Sequence, residues 1–186
     1  MITGLYSGCV YTNKDFDPKI PLLIPCPVGD LENYSGFDKL VDLCKQYGIT
    51  KNSILASKFG ELRLGKNPIT EQPIALYGAY KLDNESWGYI SKMLTEGIQL
   101  LYQSLKLPEQ QSIMCPWLSQ NSYFPDRNVA TLEPLILCPQ PITVTFNNVN
   151  TTKLLSILQR LSNQKDSHNA QVIHPHKSLF LGSNAL

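Results

Sequence analysis

Charge is scarce in this chain. Charged side chains make up 17% of its 186 residues, against roughly 25% in ordinary globular proteins. Sixteen basic residues against fifteen acidic ones leave a formal net charge of +1, and neither sign is clustered. A polyanion would find no electrostatic footprint, so neither nucleic acid nor a membrane surface is expected as a partner. Glycine-rich phosphate cradles are also missing. Gly60, Gly65, Gly78 and Gly88 are scattered, and no GxxxxGK[ST], GxGxxG or GxSxG occurs, which removes the usual signatures of nucleotide-dependent enzymes and serine hydrolases. No cofactor is expected. The five cysteines (Cys9, Cys26, Cys44, Cys115, Cys138) form no CxxC pair, so neither a disulfide framework nor a structural metal site is expected. No apolar run reaches the ~20 residues that span a bilayer. MITGLYSGCVYTNKDF lacks the basic, apolar and small-residue sequence of a secretory leader. A cytoplasmic protein with free thiols is the expectation.

Apolar residues are plentiful, at 42%, and the length suits a single α/β domain spanning 1–186. Three helices are signalled. Ser35-Gly-Phe-Asp38 reads as a capping box ahead of Phe37, Leu40, Val41, Cys44 and Tyr47. A longer helix begins near Asp83-Asn84, places Trp87, Ile90, Leu94, Ile98, Leu101 and Leu105 on one face, and ends before Pro108. A third starts at Thr151 or Thr152 and carries Leu154, Leu155, Ile157, Leu158 and Leu161. Between them lie short strand-like runs: 2–11, 22–26, 54–59, 74–80, 113–115, 135–138, 142–146 and 172–174. Alternation of this kind predicts a mixed sheet packed by amphipathic helices. PLLIPCP (Pro21 to Pro27) and PLILCP (Pro134 to Pro139) echo one another, as a duplicated strand–helix–strand unit would.

Cys26, Cys115 and Cys138 each precede a proline. Cysteine packs as a small hydrophobe and proline ends a strand, which is the structural reading of the motif. The chemical reading pairs Cys115 or Cys138 with His174 or His176 as thiol and base. His174 and His176 are two residues apart, and on a strand they share one face with no third ligand nearby.

The chain closes on SLFLGSNAL, Ser178 to Leu186. This segment resembles the nucleophile region of β-ketoacyl synthases in the thiolase superfamily, where a cysteine followed after two residues by glycine opens a buried helix. The resemblance sets Gly182 at the glycine, continues the helix face through Ala185 and Leu186, and puts Leu179 where the cysteine belongs. MITG and the stretch DKLVDLCKQYGITKNSILASKFGEL are similar to further parts of that fold. The resemblance implies a thiolase-like half without its nucleophile: a non-catalytic binding or accessory subunit in a larger assembly, with a protein partner or self-association covering its low-charge surface. Two other readings stand beside it. One is a cysteine-dependent acyl-transferase or hydrolase using a Cys–His pair; the other is a pathogen-derived interaction protein with a private fold.

Overall fold

A computed structural model describes residues 1–11, 16–81, 86–118, 125–163, 170–173 and 178–181. One eight-stranded sheet runs through it. In chain order the strands are β1 (Ile2–Ser7), β2 (Leu22–Val28), β3 (Leu62–Lys66), β4 (Pro73–Lys81), β5 (Ile113–Pro116), β6 (Ile142–Phe146), β7 (Ala170–Ile173) and β8 (Ser178–Leu181). Their spatial order is β3-β4-β2-β5-β6-β1-β7-β8. The outermost pairs, β3 with β4 and β7 with β8, are antiparallel; every pairing between them is parallel. The mixed α/β sheet expected from the strand and helix alternation is therefore present.

Helices cover both faces, which is why the central strands read as almost continuously apolar. Along β2 and β4 the side chains alternate between two cores. Leu22, Ile24, Cys26, Ile74 and Leu76 face α1 (Phe37–Lys45) and α2 (Lys51–Leu55). Leu23, Ala75, Tyr77 and Ala79 share the other core with α3 (Ile90–Ser104), α5 (Glu133–Leu137) and α6 (Thr151–Ser162). The short α4 (Pro125–Ala130) precedes α5. Helix α1 buries Phe37, Leu40, Leu43 and Cys44, and α3 buries Ile90, Met93, Leu94, Ile98 and Leu101, the three- and four-residue spacing of an amphipathic helix.

Several local expectations are corrected. Residues 54–59 are not a strand: Thr50 caps a helix there, its Oγ1 accepting from the Ser53 amide at 3.2 Å. Residues 135–137 belong to α5, with Pro134 in the first turn and Cys138 as the C-cap; a short apolar run carries no periodicity that separates a buried helix from a buried strand. PLLIPCP and PLILCP thus adopt different structures, and the echo marks no duplicated unit. Ser35 does not cap α1; Gly36 occupies the N-cap without a side-chain bond. The antiparallel edge strand β3 was not foreseen, because its pattern of partial burial lacks an apolar run. Finally, Leu179 lies in β8, paired with Val172 of β7. The segment at Leu179 is an extended strand, not the opening turn of a nucleophile-bearing helix, while Gly182, Ala185 and Leu186 lie outside the described residues.

Candidate functional site

In an open α/β sheet, ligands bind beyond the carboxyl ends of the parallel strands, where successive connections diverge. Here the chain leaving β2 runs through α1 and α2 to β3 and β4 on one side, whereas the chain leaving β5 runs through α4 and α5 to β6 on the other. β2 and β5 are neighbours, so the divergence opens between them. A solvent-connected cleft of about 300 Å³ lies there. Five strand ends contribute: Gly8 to Tyr11 after β1, Tyr34 to Gly36 and Lys39 beyond β2, Tyr80 of β4, Pro116 and Trp117 of β5, and Thr145 to Asn147 of β6.

Local backbone chemistry explains how these groups reach the cleft. After β2 the chain turns sharply through Gly29 (φ 74°) and Asp30 (φ 43°), left-handed angles that suit glycine and short polar side chains. A 3₁₀ turn over Leu31–Asn33 then sets Tyr34 just before α1. The Tyr34 ring lies so close to Gly36 that a Cβ there would sit 3.1 Å from the ring. On β4, a register shift against β2 falls between the Gly78 and Tyr80 pairings, a bulge of the kind that re-aims a strand's last side chains. Tyr80 thereby reaches the cleft.

Three phenols meet at this wall. Tyr11 and Tyr80 lie beside Tyr34, and both of those phenols are held well above the usual tyrosine range, by burial first and by the neighbouring Tyr34 second. Both are neutral near pH 7. Behind Tyr80 the Trp87 ring packs at 4.9 Å, and the Arg127 guanidinium lies 4.7 Å over Trp87. At the back, Trp117 is fully buried. Its indole N–H donates to Thr131 Oγ1 at 3.0 Å, and the Lys153 ammonium lies 5.9 Å from its ring. The fourth wall is fixed by the Gly8 amide donating to Phe146 O at 2.9 Å and by Ser7 Oγ, 3.2 Å from Asn148 Oδ1. Lys39 is the one formally charged side chain among the described lining residues. It stands in the first turn of α1 next to Asp38, where the helix dipole favours an anion.

The sequence-derived candidates lie elsewhere. Cys115 is buried in β5, and burial pushes its thiol up to about 12. Cys138 follows α5, its Sγ 3.0 Å from Gln140 Oε1. His174 and His176, like His168, fall outside the described residues, so no thiol–imidazole pair is on view. Among the described residues no group of three or more His, Cys, Asp or Glu is placed to hold a metal. All five thiols are free. The cleft residues themselves were missed because Tyr11, Tyr34, Lys39 and Trp117 share no spacing in the sequence. Their common signal is positional: each follows a strand's carboxyl end.

No protein-family model matches the sequence, and no curated protein does. The fold nevertheless has solved counterparts, and they are macrodomains. The Oceanobacillus iheyensis macrodomain with ADP superposes with a TM-score of 0.56 at 15% identity, covering 87% of this chain and 93% of that one. A mutant of the same macrodomain with ADPR gives 0.55 at 15% identity, over 86% and 92%. The form with MES bound gives 0.56 at 14%, over 87% and 93%. At such identities the likeness concerns the fold, and it overturns two expectations. The chain has a macrodomain fold and not a thiolase or ketosynthase half. The non-catalytic thiolase-like accessory subunit falls with that half, and so do the Cys–His enzyme and private-fold alternatives. The misleading signal was SLFLGSNAL, nine residues whose similarity carried no information about strand order.

Proposed function

We propose that this chain binds an ADP-ribose-type ligand, a nucleoside diphosphate carrying a sugar, in the cleft between the ends of β2 and β5. One observation carries the reading: the cleft opens at the strand divergence of a fold whose solved counterparts include macrodomains with ADP and with ADPR. The lining suits such a ligand. Lys39 and the first turn of α1 supply positive potential for a diphosphate, and the phenols offer rings and neutral hydroxyls for sugar and base.

Isothermal titration of the full chain with ADP-ribose tests this. Wild type should give saturable one-to-one heat, and Lys39→Ala should weaken it by about 12- to 160-fold, the worth of one charge-assisted contact. Undiminished affinity in Lys39→Ala, or a folded wild type that gives no heat, counts against the assignment.

Two further expectations stand as part of the proposal. The five free thiols support a cytoplasmic setting; among the described residues no helix is long and apolar enough to cross a membrane. A protein partner or self-association is supported by the low charge together with exposed Leu55, Phe59, Leu64 and Ile69 around the β3 edge. The near-zero net charge supports neither nucleic acid nor a membrane surface as partner.

A further inference from the structure

Proline has no N–H to give to a ladder, so inside a sheet it stands only where none is needed. Two central strands of this sheet nevertheless carry three prolines: Pro25 and Pro27 in β2, and Pro116 in β5. Their outer ladders are intact. β2 pairs with β4 along its whole length, Pro25 with Tyr77 and Pro27 with Tyr80. β5 pairs with β6 from Ile113 to Pro116, and the Trp117 amide donates to Thr145 O at 2.9 Å. Between β2 and β5 themselves the ladder is a single step, Leu22 with Met114, where the Met114 amide donates to Pro21 O at 2.9 Å.

Successive peptide groups of a strand point to opposite neighbours. The bond between Met114 and Pro21 therefore sets which residues face the seam: Leu23, Pro25 and Pro27 from β2, Met114 and Pro116 from β5. Carrying the register onward would set Ile24 beside Pro116 and Cys26 beside Leu118. The first pair needs N–H groups from Pro116 and Pro25, and the second needs them from Leu118 and Pro27. Three of these four donors do not exist. The ladder ends after one step, and Pro116 lines the cleft where the strands part.

We infer that Pro25, Pro27 and Pro116 are positioning residues that hold the cleft open, by denying β2 and β5 the hydrogen bonds that would zip them together. The effect on ligand binding rests on the nucleotide reading above; the open seam does not.

The test returns the donors. In the full chain, Pro25→Ala combined with Pro116→Ala supplies both N–H groups of the first missing pair, whose acceptors are the carbonyls at positions 23 and 116. Hydrogen exchange followed by NMR reads the two amides gained, and titration with ADP-ribose reads the cleft. Both amides should exchange at least about fivefold more slowly than exposed loop amides. A ligand that needs the open seam then works against two bonds, so ADP-ribose affinity should fall by about 5- to 160-fold. Pro68→Ala, at an exposed position between β3 and β4, is the control for loss of a proline as such and should leave affinity unchanged. If the double variant does not fold, Pro116→Ala alone restores the bond to the Leu23 carbonyl, with a protected amide and a loss of about 2- to 13-fold expected. Amides at 25 and 116 that exchange as fast as loop amides overturn the inference. Protected amides with undiminished affinity overturn it too, since the seam would then not set the width of the cleft. If wild type itself binds no ADP-ribose, the nucleotide reading fails, and protection of the two amides alone decides whether the prolines hold the seam open.

Discussion

Gly78 is where the packing leaves no room, and Gly78→Ala measures this. An added Cβ would lie 2.3 Å from Lys58 O, 2.8 Å from Val28 Cγ2 and 3.0 Å from Lys58 C. Two of these atoms are backbone and cannot swing aside. The segment from Lys58 to Glu61 is held across β4 at this point, with the Gly60 amide donating to Gly78 O at 2.8 Å and the Gly78 amide donating to Glu61 O at 3.2 Å. Relieving the overlap costs about 1–3 kcal/mol as overpacking. Stretching the two hydrogen bonds costs about 0.5–1.5 kcal/mol each. Against this stands a gain of about 0.4–1 kcal/mol from the stiffer unfolded chain. The balance is a destabilisation of about 1–6 kcal/mol. Urea unfolding followed by tryptophan fluorescence reads it directly. Gly88→Ala is the control, because nothing lies within 4 Å of its Cβ position, and it should be neutral or slightly stabilising. A Gly78→Ala protein as stable as wild type would refute the close crossing of residues 58–61 over β4, and with it the bulge that brings Tyr80 to the cleft.

Two other outcomes follow from buried polar groups. Tyr47 donates to Gln72 Oε1 at 2.7 Å, and Gln72 Nε2 donates to Ile20 O at 2.8 Å; Tyr47→Phe strands a buried acceptor and should cost about 1–3 kcal/mol in urea unfolding, with an unchanged midpoint contradicting the bond. The thiols of Cys26 and Cys115 are raised from 9.0 to about 12, chiefly by burial. Their folded values exceed the unfolded ones, so their contribution is complete below pH 9 and is lost as pH rises toward about 12, at about 1.4 kcal/mol per pH unit for each thiol. The urea midpoint should therefore fall steeply between pH 9 and 10, less so in Cys26→Ala, and a flat profile there would show that these thiols are not buried.

How much of this was legible in the sequence depended on periodicity and length. Helix α3 and helix α6 could be read because apolar residues recur over three or more turns, and β2, β4 and β6 because they are short apolar runs between turn residues. The five-residue helices α2 and α5 could not, since one turn of helix and one buried strand leave the same trace; Thr50 and Pro134 were the available cues. The terminal segment misled for a related reason. SLFLGSNAL has the composition of a buried element, and composition does not say whether Leu179 opens a helix or pairs with Val172 in a sheet. The cleft was invisible because it is made by topology. Gly8, Tyr34, Tyr80, Trp117 and Asn147 come from five separate strand ends, and only the order β4-β2-β5-β6-β1 brings them together.

The most direct measurement is an amide and indole NMR titration of the full chain with ADP-ribose. Trp117 Nε1–H and the amides of Gly8, Cys9, Tyr34, Gly36 and Asn147 surround the cleft; a second cavity shares Val10 and Tyr11 with it but is otherwise lined by residues such as Leu43, Gln46, Tyr47 and Gln72. Shifts confined to the first set, saturating at one ligand per chain, are the expected result. Shifts centred on the second cavity, or none at all in a dispersed spectrum, would contradict the assignment of this cleft as a nucleotide site.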